Sequence, residues 1–198
     1  VLILAIKPQV FKSVSAEIII KKLKSNSVVS IMAGINTKTL KNNLKFPTHI
    51  IRAMPNKASE VMMGVTCIYS KTILTNYKKK LINKLFLPLG KCIWIKKELL
   101  MDAVTAISGS GPAYFYLFIY SLIKVAKSLG FKNNLARELV ISTAIGSLEL
   151  VKKKPNLLNL IEDVKSPGGT TEAALKILEK KDGENFINIL EKAVNAAK

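Results

Sequence analysis

Residues 164–175 read VKSPGGTTEAAL: a proline, two adjacent glycines and two threonine hydroxyls, then a helical alternation of Ala, Leu and Lys. Two chemistries suit that order. In one, Gly168-Gly169 is a turn, Thr170 or Thr171 is the helix N-cap, and Glu172 suits the positive end of the helix dipole. In the other, the loop's amides and a threonine hydroxyl form an anion site at the helix N-terminus. Few other residues offer chemistry. His49 is the single histidine and stands beside Ile50 and Ile51 in an apolar run. Cys67 and Cys92 are far apart, so neither a Ser-His-Asp triad, a multi-histidine metal site nor a C-x-x-C pair is expected. SGSGPAY, with Gly109, Ser110 and Gly111, lacks a third glycine and is interrupted by Pro112, which excludes a dinucleotide phosphate loop. Its glycines predict close approach of another backbone, and Pro112 a restart or kink of a helix.

Composition narrows the classes further. With 49% hydrophobic residues in 198, the chain is expected to be globular. The formal net charge of +18 comes almost entirely from scattered lysines, the only arginines being Arg52 and Arg137. Specific nucleic-acid readers use arginine forks, so no specific nucleic-acid partner is expected. Two isolated cysteines suit a reducing, cytoplasmic location. The longest apolar run, Ala113 to Ile123, falls short of the roughly 20 residues that span a bilayer, so no membrane partner is expected. No signal peptide is visible. The opening VLILAI reads as a strand already under way, and the chain is expected to be N-terminally incomplete.

The elements that must position these residues alternate in the first half. Val1 to Ile6, SVVSIMAG, THIIRAMPN, VTCIYS and KCIWIK read as strands; AEIIIKKLK, NTKTLKNNL (capped by Asn36 or Thr37) and TNYKKKLINKLFLPLG read as helices. That alternation predicts a parallel, doubly wound α/β sheet, whose ligands bind at the strands' carboxyl ends. From Leu99 onward only helices are predicted: 101–130, 134–153, 155–164, 171–181 and 184–197, with Gly183 a stop after Lys180 and Lys181. The expectation is therefore α/β plus all-α. Residues 1–98 are expected to form the α/β domain, and 99–198 a helical domain.

Two longer stretches are more specific. DAVTAISGSGPAYFYLF (Asp102 to Phe118) and VKSPGGTTEAALKILE (Val164 to Glu179) resemble signature segments of pyrroline-5-carboxylate reductase. VLILAIKPQ, VVSIMAGI and IIRAMPN resemble that family's successive strand ends, in order, so the resemblance runs from Val1 to about Ala197. It implies an incomplete Rossmann-type doubly wound sheet followed by a helical substrate-binding and dimerisation domain. The activity it implies is NADPH- or NADH-dependent reduction of 1-pyrroline-5-carboxylate to L-proline. It also implies a homo-oligomer, a dimer at least, with decamers common among family members.

Carried over by position, Ala5, Ile6, Lys7 and Pro8 would lie against the cofactor, as would Met32, Ala33 and Gly34, with Asn56 near the nicotinamide. Ser166, Gly168, Gly169, Thr170 and Thr171 would hold the substrate. The glycine amides would receive its carboxylate, and the Thr171 hydroxyl, the catalytic group, would hydrogen-bond the ring nitrogen. No metal is implied. Two departures stand out: the family's first strand and G-x-G-x-x-G turn have no counterpart in these 198 residues, and KASEV follows RAMPN where the family usually has Thr-Pro. A dehydrogenase of the β-hydroxyacid type is disfavoured, because Lys124 lies a full helix beyond Gly109–Gly111. An inactive remnant that keeps only the helical dimerisation domain is the alternative.

Overall fold

The computed structural model describes residues 1–23, 25–154, 156–180 and 185–198. They form two compact units, Val1–Pro112 with Ala197–Lys198, and Ala113–Ala196. The first unit carries five strands among its described residues: β1 (Leu2–Leu4), β2 (Ser27–Ser30), β3 (His49–Met54), β4 (Gly64–Ser70) and β5 (Gly90–Trp94). Helices α1 (Phe11–Ile20), α2 (Thr37–Leu44) and α3 (Asn76–Phe86) connect them, and α4 (Leu100–Val104) follows. The caps of α2 and α3 are side-chain caps: Asn36 accepts from the Thr39 amide at 2.8 Å, and Thr75 from Lys78 at 3.3 Å.

The sheet order is β1-β2-β3-β4-β5. β1, β2 and β3 are parallel, and β4 and β5 are parallel, but β4 runs antiparallel to β3. The expected all-parallel sheet is thus corrected to a mixed, mostly parallel one. The reason is chain length: residues 55–63, carrying one 3-10 turn at Lys57–Val61, are too few for the crossover of a dozen or more residues that a parallel return needs.

That inversion also explains how both faces are covered. Right-handed crossovers between β1, β2 and β3 all step the same way, which puts α1 and α2 on one face. The step from β4 to β5 continues that way from an inverted strand, which puts α3 on the other. Two cores result. Leu4, Val28 and Ile50 pack with Phe11, Ile18, Leu40 and Leu44, and Val29, Ile51, Ala53 and Ile68 pack with Ile82 and Phe86. Neighbouring residues such as Val28 and Val29 therefore point to opposite cores, which is why these strands read as continuous apolar runs.

The stretch DAVTAISGSG forms a π-helical turn, Thr105–Gly109, closed by a Ser110 amide to Thr105 carbonyl bond of 2.8 Å. It follows α4 and precedes α5 (Gly111–Ser128), so the helix restarts at the Gly111-Pro112 step. Among the described residues, no other backbone lies against the Cβ position of either glycine. A Cβ on Gly109 would meet the Met54 methyl at 2.9 Å, and one on Gly111 would meet nothing within 4 Å.

The second unit holds the rest of α5, then α6 (Asn133–Lys153), α7 (Leu157–Asp163), α8 (Thr170–Leu178) and α9 (Phe186–Ala196). The expected stop at Gly183, and the expected helix boundaries at Pro155, Lys181 and Glu184, lie outside the described residues. Within this unit Phe118 and Phe186 meet ring to ring, their centroids 6.2 Å apart. Many large apolar side chains are left open to solvent, among them Phe115, Tyr116, Leu117 and Tyr120. The helical stretch Leu100–Ser128 is long and apolar enough, by length and composition alone, to cross a bilayer; its ends lie within two residues of the helix expected over 101–130.

Candidate functional site

The candidate cofactor residues lie in the first unit, at one edge of the sheet. Ala5 to Pro8 follow β1, Met32 to Gly34 follow β2 and Asn56 follows β3, so the parallel strands deliver all three segments to their common carboxyl edge. Pro8 opens a 3-10 turn after an extended Lys7. Ala5 and Lys7 are exposed, and Ile6 and Pro8 half-buried. Met32 is buried, and its amide donates to the Ser30 hydroxyl at 3.3 Å. Gly34 has a φ of 71°, a left-handed backbone that turns the chain off the strand edge.

Asn56 is held from two sides. Its Oδ1 accepts from the Val65 amide at 3.1 Å, and its Nδ2 donates to the Ser108 Oγ at 3.4 Å. The side chain thereby ties the β3 end to the start of β4 and to the π-helical turn. Ser108 is a site neighbour that the sequence reading missed; the signal was the SGSG run, read only for its glycines.

Behind this edge, Glu98 pins α2 to β3. Its carboxylate accepts from the Thr37 amide at 2.7 Å and the Thr37 hydroxyl at 2.7 Å, and pairs with Arg52 Nη1 at 3.2 Å. Partial burial pushes the Glu98 carboxyl up, but those hydrogen bonds outweigh it and hold it below the usual carboxylate range. His49 faces Thr72 at 2.9 Å, and burial, then Lys78, push its pKa down; nothing in that geometry is catalytic. Burial likewise raises the thiols of Cys67 and Cys92, which keeps them protonated and unreactive. A cavity of about 290 Å³ beside α2, lined by Thr37, Lys38, Lys41, Ile50 and Lys71 among others, shares no residue with the candidate set.

The candidate substrate residues lie in the second unit, in the turn between α7 and α8. Gly168 is left-handed, with φ 70°. Gly169 is the N-cap of α8 and makes no side-chain cap, so the expected N-cap at Thr170 or Thr171 is one to two residues too late. The turn brings Gly169 against Ser166, where a Cβ would collide with the Ser166 hydroxyl and lie 3.0 Å from its carbonyl oxygen. A side chain there would require Ser166 to move, so glycine suits the N-cap and the threonines fall in the first helical turn.

The glycine amides are not open donors. Gly168 donates to the Glu172 carboxylate at 2.7 Å, and Gly169 to the Ser166 carbonyl at 2.9 Å. The two amides expected to receive the substrate carboxylate are therefore both occupied in this structure. The unspent donors are one step on: the amides of Thr170, Thr171 and Glu172, and both threonine hydroxyls, have no partner among the described residues. Such a cluster at a helix N-terminus can take a carboxylate and one further polar atom. The first intrahelical bond at this end runs from Ala173 to the Gly169 carbonyl, at 3.2 Å. No group of three or more His, Cys, Asp or Glu placed to hold a metal occurs among the described residues.

A mixed, mostly parallel sheet with helices on both faces and an all-helical unit after it define the class: a two-domain protein of the Rossmann type. Comparison with known proteins gives the family. Residues 98–198 match the family model for pyrroline-5-carboxylate reductase dimerisation. The chain is 32% identical to the Pseudomonas aeruginosa pyrroline-5-carboxylate reductase over 198 residues, covering 100% of this chain and 71% of that protein. It is 37% identical to the Synechocystis enzyme of the same name, over 100% of this chain and 72% of the other. It is also similar to the crystal structure of Plasmodium falciparum pyrroline carboxylate reductase with NADP bound, at 36% identity and a TM-score of 0.87, covering 98% of this chain and 77% of that one. The chain belongs to the pyrroline-5-carboxylate reductase family.

Proposed function

We propose that the protein reduces 1-pyrroline-5-carboxylate to L-proline with NADPH or NADH, as a cytoplasmic enzyme of proline biosynthesis. The observation that carries this reading is the α7–α8 turn: a family member keeps three helix-N-terminal amides and two hydroxyls unspent beside a left-handed glycine. The Thr170 and Thr171 amides grip the substrate carboxylate, favoured by the helix dipole. The Thr171 hydroxyl oxygen accepts from the N–H of the protonated ring nitrogen and so holds the imine carbon in line. Gly168 and Gly169 serve by shape, and Ser166 braces Gly169.

On the sheet, the residues at the carboxyl edge fit the nicotinamide side of a cofactor. Ala5 and Gly34 carry no bulk, and open space surrounds Gly34. Ile6, Pro8, Met32 and Ala33 give an apolar rest, the exposed Lys7 ammonium suits a phosphate, and Asn56 is fixed in place. The cofactor, when bound, supplies the hydride. A protonated imine is already electrophilic, so the protein's own work is alignment and electrostatics, which requires neither histidine, paired carboxylates nor metal.

The exposed apolar side chains of α5 and the dimerisation match support a homodimer at least, with residues 99–198 as the substrate-binding and dimerisation domain and 1–98 as the nucleotide domain. The test is NADPH and NADH oxidation by the purified protein with 1-pyrroline-5-carboxylate, with L-proline quantified as product. Stoichiometric proline is expected. A dimer that oxidises neither cofactor would instead mark a non-catalytic remnant.

A further inference from the structure

Glu172 stands at the third residue of α8, where the acidic half of a capping box belongs. In a full box an N-cap Ser or Thr satisfies the third helical amide while the acidic side chain reaches back. Here the return half is missing, and the acid reaches one residue beyond the N-cap. Glu172 reaches back to the Gly168 amide at 2.7 Å, but the N-cap is Gly169, which has no side-chain acceptor to return. The acid is itself held: Lys176, one turn on, stands 3.4 Å from its other oxygen. The Gly168 amide first, and then Lys176, keep its carboxyl below the usual range, so it is anionic at neutral pH.

The half-box has a consequence for the reading above, on which this inference rests. Two donors precede the helix: the Gly169 amide is spent on the Ser166 carbonyl, and Gly168, with its left-handed φ of 70°, is the other. Left free, its amide would compete with Thr170 and Thr171 for an incoming carboxylate and draw it about one residue toward the N-terminus. The acid would still bind, with its ring nitrogen no longer opposite the Thr171 hydroxyl. We propose that Glu172 is a positioning residue: by occupying the Gly168 amide it locks the turn and confines the substrate carboxylate to the Thr170–Thr171 donors.

This separates binding from turnover. Glu172→Ala is expected to lower kcat about tenfold while KM for 1-pyrroline-5-carboxylate moves less than about threefold, since a misplaced ligand loses alignment before affinity. Glu172→Gln, whose amide oxygen still accepts, is expected to recover kcat to within about threefold of wild type. A purely structural acid would raise KM or lower Tm and leave kcat alone, and either outcome with unchanged kcat overturns the proposal. Hydrogen exchange at the Gly168 amide of the wild-type protein gives a readout independent of any variant and of turnover. Strong protection is expected, and exchange at the rate of an open loop overturns the proposal even if the variants fold poorly. A wild-type protein with a protected Gly168 amide but no proline formation would sink the functional reading instead.

Discussion

Thr171 is half-buried in the first turn of α8, and its hydroxyl has no partner among the described residues. Because Gly169 holds the N-cap, capping does not overlap with the catalytic role proposed for Thr171, which makes that role measurable. Thr171→Ala removes one hydrogen bond worth roughly 1 kcal/mol or somewhat more. In steady-state assays this should appear as a five- to tenfold loss of kcat, on the order that such an energy implies. Thermal unfolding should not move; a drop worth about 1 kcal/mol of stability with kcat intact would show a cap after all. At this scale the chain was legible in part. Two glycines and two threonines announced a special turn, because backbone freedom and hydroxyls are written in residue types. Which amides remain unspent was not, because that depends on Glu172 folding back over four residues and on Ser166 crowding Gly169. Asn56 shows the same limit: its place after β3 could be read, but not that Val65 and Ser108 occupy it.

Among the elements, the strand and helix alternation of the first half was readable because apolar runs bounded by Gly, Pro and Asn mark buried strands. The inverted β4 was missed although its cause lies in the chain length between Met54 and Gly64. The π-helical turn was missed because nothing in TAISG distinguishes it from α-helix. Beside the apolar packing of Leu40 and Leu44, Glu98 ties α2 to β3: it satisfies the first amide of α2 and pairs with Arg52, only 4% exposed. Glu98→Ala leaves that buried cation without its carboxylate and should cost about 3 kcal/mol in urea unfolding at neutral pH. The pH dependence has a definite sign. The folded carboxyl is depressed, so its contribution is complete above about pH 4.3, the ordinary value of an unfolded glutamate, and fades as pH falls through the lower folded value. Wild-type stability should therefore fall on acidification below that point, and Glu98→Gln should flatten this limb. An unchanged acid limb in the variant would remove Glu98 from the account.

For the whole molecule, composition was informative chiefly by exclusion: lysines without arginine forks, one histidine and two distant cysteines left few chemistries open. The family then emerged from collinear segments at both ends of the chain, and the comparisons established it over its full length. The apolar surface of α5 was harder to interpret from sequence. A run such as AYFYLFIYSLI looks the same whether it is covered by its own chain, by a second copy or by lipid, and the dimerisation match is what favours a second copy. The central claim is that the α8 N-terminus grips an imino acid by its carboxylate and its ring nitrogen. A crystal structure of the protein with L-proline tests it most directly. The account predicts the carboxylate on the Thr170 and Thr171 amides, the ring nitrogen within hydrogen-bond distance of the Thr171 hydroxyl, and Glu172 still on Gly168. Proline bound elsewhere, or a turn whose Thr170 and Thr171 amides face away from it, would contradict the account.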